Sequence, residues 1–262
     1  MHKEEEKFAE SSLMEGMTSI RAVLSRMESH PQSCTKIHRV LYDRAKLKKI
    51  SKEINWLKKM SEIHGFTVED ASADTIDFFC TGQSHGGIVA FTRARTIPSL
   101  GEAKEQLRGG RFYVMIEGIE DPYNFGYAIR SLHAFGVDGI ILPMRNWMTA
   151  SGVVARASAG ASELIDIYTA TPEDAADIFH ELGYQILSAK ENAPISLQEA
   201  SLPYPIFAVV GGEKRGISSV LQSKTDIAVR IEYGREFKAS LSAASAATVL
   251  AYEVTKQNQY KQ

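Results

Sequence analysis

The chain has 262 residues, of which 44% are hydrophobic and 24% charged, with a formal net charge of −2. These values lie in the ordinary globular range, allow one or two domains, and argue against a uniformly basic nucleic-acid binder. No apolar run approaches the roughly 18 to 20 residues that span a bilayer, and the charged start Met1-His-Lys-Glu-Glu-Glu-Lys7 is unlike a secretory signal, so the expectation is a cytoplasmic protein.

The first segment, about 13 to 95, reads as a small α/β domain. Its pattern predicts a helix over Ser19 to Met27, a strand over Ile37 to Leu41 and a helix over Lys46 to His64. Short strands follow at Phe66 to Val68 and Gly87 to Phe91. Lys36, Arg39, Arg44, Lys46 and five further lysines up to Lys59 stand against only Asp43 and Glu53, a basic face suited either to solvent or to phosphate. Cys34 and Cys80 lack metal-site spacing and read as reduced, partly buried side chains; no metal is expected.

Ile97-Pro98-Ser-Leu-Gly101 and Arg108-Gly-Gly110 bracket a connector, dividing the chain into 1–100 and 110–262. Beyond it strands and helices alternate as in a doubly wound parallel sheet. Strands are predicted near Phe112 to Glu117, Gly139 to Leu142, Leu164 to Tyr168, Tyr184 to Ser188, Ile206 to Val210 and Ile227 to Ile231. A helix over Pro172 to Leu182 has Thr171 as its cap and Gly183 at its end.

Between the first two of these strands lies Ile119-Glu-Asp-Pro-Tyr-Asn124-Phe-Gly-Tyr-Ala-Ile-Arg130. Asp121-Pro122 marks a turn, and a helix is predicted from an Asn124 cap to Gly136. At 100° per residue Arg130 falls roughly 140° from Phe125, off the apolar stripe. Alone, this reads as a capped helix with a solvated charge.

Two further motifs change its meaning. Val210-Gly211-Gly212-Glu213-Lys-Arg-Gly216-Ile217 is a strand end running into a Gly-rich turn, the geometry of a nucleotide-contacting loop at a sheet's carboxyl edge. Ile217 stands where a phosphate loop needs Lys, Glu213 would repel a triphosphate, and the chain has no dinucleotide fingerprint; a neutral or cationic adenosyl ligand remains compatible. Ser240-Leu241-Ser242-Ala-Ala-Ser-Ala-Ala-Thr then opens a helix, predicted to about Lys256, whose small side chains let its backbone approach a neighbour closely.

In this order and spacing the three motifs resemble those of the SpoU/TrmH family of S-adenosylmethionine-dependent RNA ribose 2′-O-methyltransferases, within the SPOUT superfamily. The resemblance covers about 110 to 258. Glu15-Gly-Met-Thr-Ser-Ile-Arg-Ala-Val-Leu24 and His85-Gly-Gly-Ile-Val-Ala90 extend it, since they are similar to the start and end of that family's ribosomal-protein-like RNA-binding domain. The resemblance implies a mostly parallel sheet whose carboxyl-terminal segment is threaded through a loop as a deep trefoil knot, a rare connectivity. It also implies a homodimer, S-adenosyl-L-methionine as cofactor and rRNA or tRNA as partner.

By the same resemblance, backbone around Gly211, Gly212, Gly216, Ile231 and Leu241 holds the adenosyl group, with Ser188 and Ala189 beside it. Asn124 and Arg130 hold the target nucleotide, Glu213 orders the site, and Ser240 and Ser242 complete the catalytic set. The third motif departs from the family: Ser242 stands where Asn is usual, and Glu232 where Ile is usually followed by Pro. Two readings therefore stand: an active ribose methyltransferase, and a knotted RNA-binding protein that has lost catalysis.

Overall fold

A computed structural model gives the conformation of residues 12–82, 85–143, 151–212, 215–237 and 239–259, the residues described below. By internal contacts they fall into two compact units. One comprises the described residues of Met1–Thr96 and Asn146–Leu164, the other those of Ile97–Arg145 and Ile165–Gln262.

The first unit is built on a four-stranded sheet in the order β1 (Ser12–Glu15), β4 (Ile88–Arg93), β2 (Lys36–Asp43) and β3 (Thr67–Ala71). Helices α1 (Gly16–Ser29) and α2 (Ser51–His64) bury Ile20, Val23, Leu24, Ile54 and Leu57 against one core. A second core, with Leu41, Val89 and Phe91, is covered by Ile76 of α3 (Ala73–Phe79). β1 and α3 are additions to the predicted elements; both are short, and α3 starts at a Ser72 cap rather than at an apolar run.

The boundary also differs from the one expected. Helices α5 (Ser151–Ala157) and α6 (Ala161–Leu164) lie in sequence between strands of the second unit yet pack in the first. Ala155 enters the core with Met14 and Ile20. Gly152 lies so close to β1 that a Cβ there would meet the Leu13 carbonyl oxygen at 2.1 Å. The Arg156 guanidinium closes on the buried Glu15 carboxylate at 2.6 Å.

In the second unit seven strands lie in the order β7 (Asp166–Thr169), β6 (Gly139–Leu142), β5 (Phe112–Ile116), β10 (Ile206–Val210), β8 (Gln185–Ala189), β11 (Ile227–Arg230) and β9 (Ile195–Ser196). Every neighbouring pair is parallel. The central strands are apolar throughout because helices cover both faces. On one face Ala175, Ala176 and Phe179 of α7 (Pro172–Glu181) and Leu221 of α8 (Ser219–Ser223) pack over Tyr113, Ile186 and Phe207. Phe179 stacks on Phe207 with ring centroids 4.1 Å apart.

Helices α4 (Pro122–Ala134) and α9 (Ala243–Gln259) pack on each other, and α9 also reaches β10. The buried positions of α9 include Ala243, Ala244, Ala247 and Ala251, so the small residues lie on the face that meets its neighbours. The Thr255 hydroxyl donates to the Phe135 carbonyl at 2.7 Å, fixing the far end of the pair.

Candidate active site

The strand order places the site. Because the neighbours are parallel, β5, β10, β8 and β11 deliver their carboxyl ends side by side along one edge, a run of about 14 Å at the usual strand spacing. From β5 the chain proceeds outward to β6 and β7, whereas β10, β8 and β11 occupy the other half of the sheet. The β5/β10 boundary is thus a topological switch point, the usual place for a ligand in a parallel α/β sheet. The turn after β5, the Gly211 loop after β10, Ser188-Ala189 at the end of β8 and Ile231 after β11 all belong to this edge.

Helix α4 starts one turn earlier than the sequence suggests. Asp121, not Asn124, is the cap: its carboxylate accepts the Asn124 amide at 2.8 Å, and Pro122 takes the first helical position. Asp outcompetes Asn here because it immediately precedes the proline, which forces Asp121 into the extended backbone that a cap requires. The Asn124 side chain is thereby released from capping and is partly exposed. Two turns on, Arg130 is exposed while Ala128, Ile129 and Leu132 are buried, and it has no ion pair among the described residues. Gly136, with φ of 74°, ends the helix as expected.

The Gly211 loop folds back on itself and against the β5 turn. Gly212 and Gly216 form a bridge, with the Gly216 amide donating to the Gly212 carbonyl at 2.9 Å. A Cβ on Gly211 would meet Gly216 C at 2.3 Å, and one on Gly212 would meet the Gly118 carbonyl oxygen at 2.6 Å. These glycines are required by close backbone approach within the loop and to the turn after β5. Glu213 lies outside the described residues.

Glu117 and Tyr233 were not among the expected site residues. The Glu117 carboxylate accepts the Ser218 amide at 2.7 Å, and the Ser218 hydroxyl caps α8. Glu117 sits at the end of a strand-like run, with nothing local to mark its partner 101 residues away. Tyr233 accepts the Leu241 amide on its hydroxyl at 3.1 Å, so it ties the loop after β11 to the third motif.

At that motif Ser242 precedes α9, and its hydroxyl accepts the Ser245 amide at 3.2 Å and pairs with the Ser245 hydroxyl at 3.0 Å. The helix begins at Ala243 rather than Ser240 because Ser242 serves as its cap; Ser240 is exposed ahead of it. Ile231 and Leu241 are partly buried at the two ends of the same loop. Ser188 is fully buried, and its hydroxyl has no hydrogen-bond partner among the described residues. A buried hydroxyl left unpaired beside Ile186 and Val209 of the core is one that a ligand or water would satisfy. Beside it, Ala189 pairs with Val229 of β11.

The Ser188 hydroxyl has no partner among the described residues, the glycine loop packs on its own backbone and on the β5 turn, and the Glu117 carboxylate places an anion at the same edge. Among the described residues no three His, Cys, Asp or Glu side chains cluster to hold a metal, and no helix is long and apolar enough to cross a membrane.

Comparison with known proteins gives the family. A profile described as the SpoU rRNA Methylase family matches residues 111–252. A TrmH family tRNA/rRNA methyltransferase by name, from Staphylococcus haemolyticus, is 30% identical over 154 residues, 58% of this chain and 61% of that protein. One from Bacillus subtilis, YacO, is 28% identical over 200 residues, 75% of this chain and 80% of its own length. Thus the chain spans under two thirds of the first relative and four fifths of the second.

In fold it resembles the SpoU methyltransferase AviRb from Streptomyces viridochromogenes in complex with AdoMet, with a TM-score of 0.75 at 20% identity over 97% of this chain and 92% of that one. An AdoMet-bound rRNA methyltransferase from Sinorhizobium meliloti gives 0.75 at 19% identity over 97% and 90%. The α/β fold with its parallel sheet is therefore the one these methyltransferases share. The chain belongs to the SpoU rRNA methylase family.

Proposed function

We propose that the protein transfers a methyl group from S-adenosyl-L-methionine to a ribose 2′-hydroxyl of rRNA or tRNA. The observation that carries this reading is the pairing of functions at one sheet edge. The Asn124 and Arg130 side chains, on the helix that follows the β5 turn, have no hydrogen-bond or ion-pair partner among the described residues, and that turn meets the Gly211 loop at Gly118 and Gly212.

Bound at that edge, S-adenosylmethionine supplies an electrophilic methyl on a sulfonium. The chain's own work is then mainly positioning, because the ribose oxygen must approach in line with the breaking C–S bond. Gly211, Gly212, Gly216, Ile231 and Leu241 cradle the adenosyl group through backbone, with Ser188 and Ala189 on its flank and Glu213 ordering the loop. Asn124 orients the sugar. A guanidinium is no base at neutral pH, so Arg130 clamps a phosphate and stabilises the developing alkoxide while the hydroxyl proton passes to water.

The remaining parts of the reading follow from the family. The carboxyl-terminal segment, from the Gly211 loop through α9, forms a deep trefoil knot, and the described residues of 1–100 bind RNA. There Lys52, Lys58 and Lys59 are exposed, whereas Arg39 and Arg44 are partly neutralised by Glu69 at 2.7 Å and Asp70 at 3.0 Å. Two copies pair through α4 and α9, where Tyr127 and Tyr252 are 53% and 51% exposed. The cytoplasm is where such RNA is met.

A knotted RNA-binding protein without catalysis is the second reading, favoured by the Ser242 hydroxyl being spent on Ser245. Calorimetry with S-adenosylmethionine, followed by methyl-label transfer to bulk RNA, separates the two. Cofactor binding with transfer supports the first reading; absence of cofactor binding sinks it.

A further inference from the structure

The loop between β11 and α9 carries an aromatic pair to which the reaction as described gives no task. Tyr233 and Phe237 meet edge to face, ring centroids 6.2 Å apart and planes at 62°. Phe237 is 57% exposed and Tyr233 40%. Tyr233 is anchored, since its hydroxyl accepts the Leu241 amide at 3.1 Å. Leu241 is one of the residues assigned to the adenosyl group, so the anchor sets the aromatic pair at the rim of the site.

A cation stands near the ring. Arg230 and Glu232 are paired at 2.7 Å, and Arg235, two residues before Phe237, is exposed with no ion pair among the described residues. A flat apolar ring with an exposed guanidinium close to it in the same loop is a combination that holds an unstacked nucleotide: the ring takes the base and the cation takes its phosphate.

We propose that Phe237, held in place by Tyr233, is the stacking platform for the base of the nucleotide that is methylated. The inference rests on the RNA methyltransferase reading and deepens it. Bringing a ribose hydroxyl in line with a buried methyl donor separates its nucleotide from neighbouring bases, and the lost stacking is restored on a protein ring. Any base has a face to offer, so Phe237 contributes affinity more than sequence choice. Tyr233 is a positioning residue: its hydroxyl is committed to Leu241, and its ring supports Phe237 edge-on.

The test uses the full chain, methyl-labelled S-adenosylmethionine, and unfractionated transfer and ribosomal RNA. Phe237→Ala is expected to raise the RNA KM roughly 5- to 150-fold, the worth of one base–aromatic contact, with kcat and cofactor Kd little changed. Phe237→Trp restores the KM. Phe237→Leu, apolar but without a π face, does not. Tyr233→Phe raises the RNA KM less than Phe237→Ala and weakens the cofactor as well, because Leu241 loses its tether.

A Leu variant with wild-type KM overturns the proposal. So does a Phe237→Ala protein that changes its oligomeric state in sedimentation, which assigns the ring to a contact between copies. Absence of transfer by the wild-type protein to either RNA is a different failure, seen before any variant is compared. It overturns the methyltransferase reading, and the stacking role with it.

Discussion

The Glu117 carboxylate and the Ser218 amide, 101 residues apart in sequence, meet at 2.7 Å and join the turn after β5 to the Gly211 loop after β10. A charge-assisted hydrogen bond of this kind contributes about 1.5–3 kcal/mol. Glu117→Ala should lower the melting temperature and weaken S-adenosylmethionine binding about tenfold or more in calorimetry. Glu117→Gln, which keeps an acceptor, should lose less. Equal losses in the two variants would show that the charge is irrelevant.

Gly212→Ala drives a Cβ into backbone, the Gly118 and Glu117 carbonyl oxygens, at 2.6 and 2.7 Å. Backbone cannot swing aside, so the expected cost is about 1–3 kcal/mol with loss of cofactor binding. Gly216→Ala adds strain at φ of 64° but meets open space, and should be milder. Thermal melts of the two proteins, with and without S-adenosylmethionine, give the order.

Arg130→Ala should reduce methyl transfer by at least a hundredfold while cofactor affinity stays within twofold, because in the proposed reaction the exposed guanidinium serves the nucleotide. Arg130→Lys supplies a point charge in place of a bidentate fork and should fall between. Wild-type turnover by the Lys variant counts against the clamp.

Ser242→Asn restores the residue usual in the family and keeps a good helix cap. Transfer should hold or rise with an unchanged melting temperature. Ser242→Ala removes the cap and should cost about 1 kcal/mol. A Ser242→Asn protein that gains activity from an inactive parent would favour the non-catalytic reading of the natural chain.

In the first unit, burial pushes the Glu15 carboxyl up, but the Thr81 amide and hydroxyl and the Arg156 guanidinium outweigh it and hold the pKa below its ordinary value. A depressed carboxyl pKa contributes stability that is present above the unfolded value, near 4.5, and lost as pH falls through the folded one. Denaturant melts of the full chain from pH 6 to pH 3 should therefore show the first unit weakening on acidification. Arg156→Ala should flatten that dependence and destabilise the unit at pH 7.

The parallel sheet was legible because its strands are short apolar runs between helix signals. Gly139–Leu142 and Ile206–Val210 have the predicted bounds, and the Thr171 cap accepts the Asp174 amide as a capping residue should. Less legible were features whose cause lies far along the chain. The packing of 151–164 with β1 depends on Gly152, Ala155 and Arg156 finding Leu13, Met14 and Glu15, which no local pattern announces. Asn124 as a cap was a local error, corrected by the proline after Asp121. The candidate site was readable as three motifs; the Glu117–Ser218 and Tyr233–Leu241 ties that organise them were not, since each joins a loop to a residue in another motif.

The central claim is the acceptor atom. Bulk rRNA and tRNA incubated with the protein and methyl-labelled S-adenosylmethionine, then digested to nucleosides and resolved by mass spectrometry, should carry the label as a 2′-O-methylnucleoside. Label on a base, or RNA left unlabelled by a protein that binds the cofactor, would contradict it.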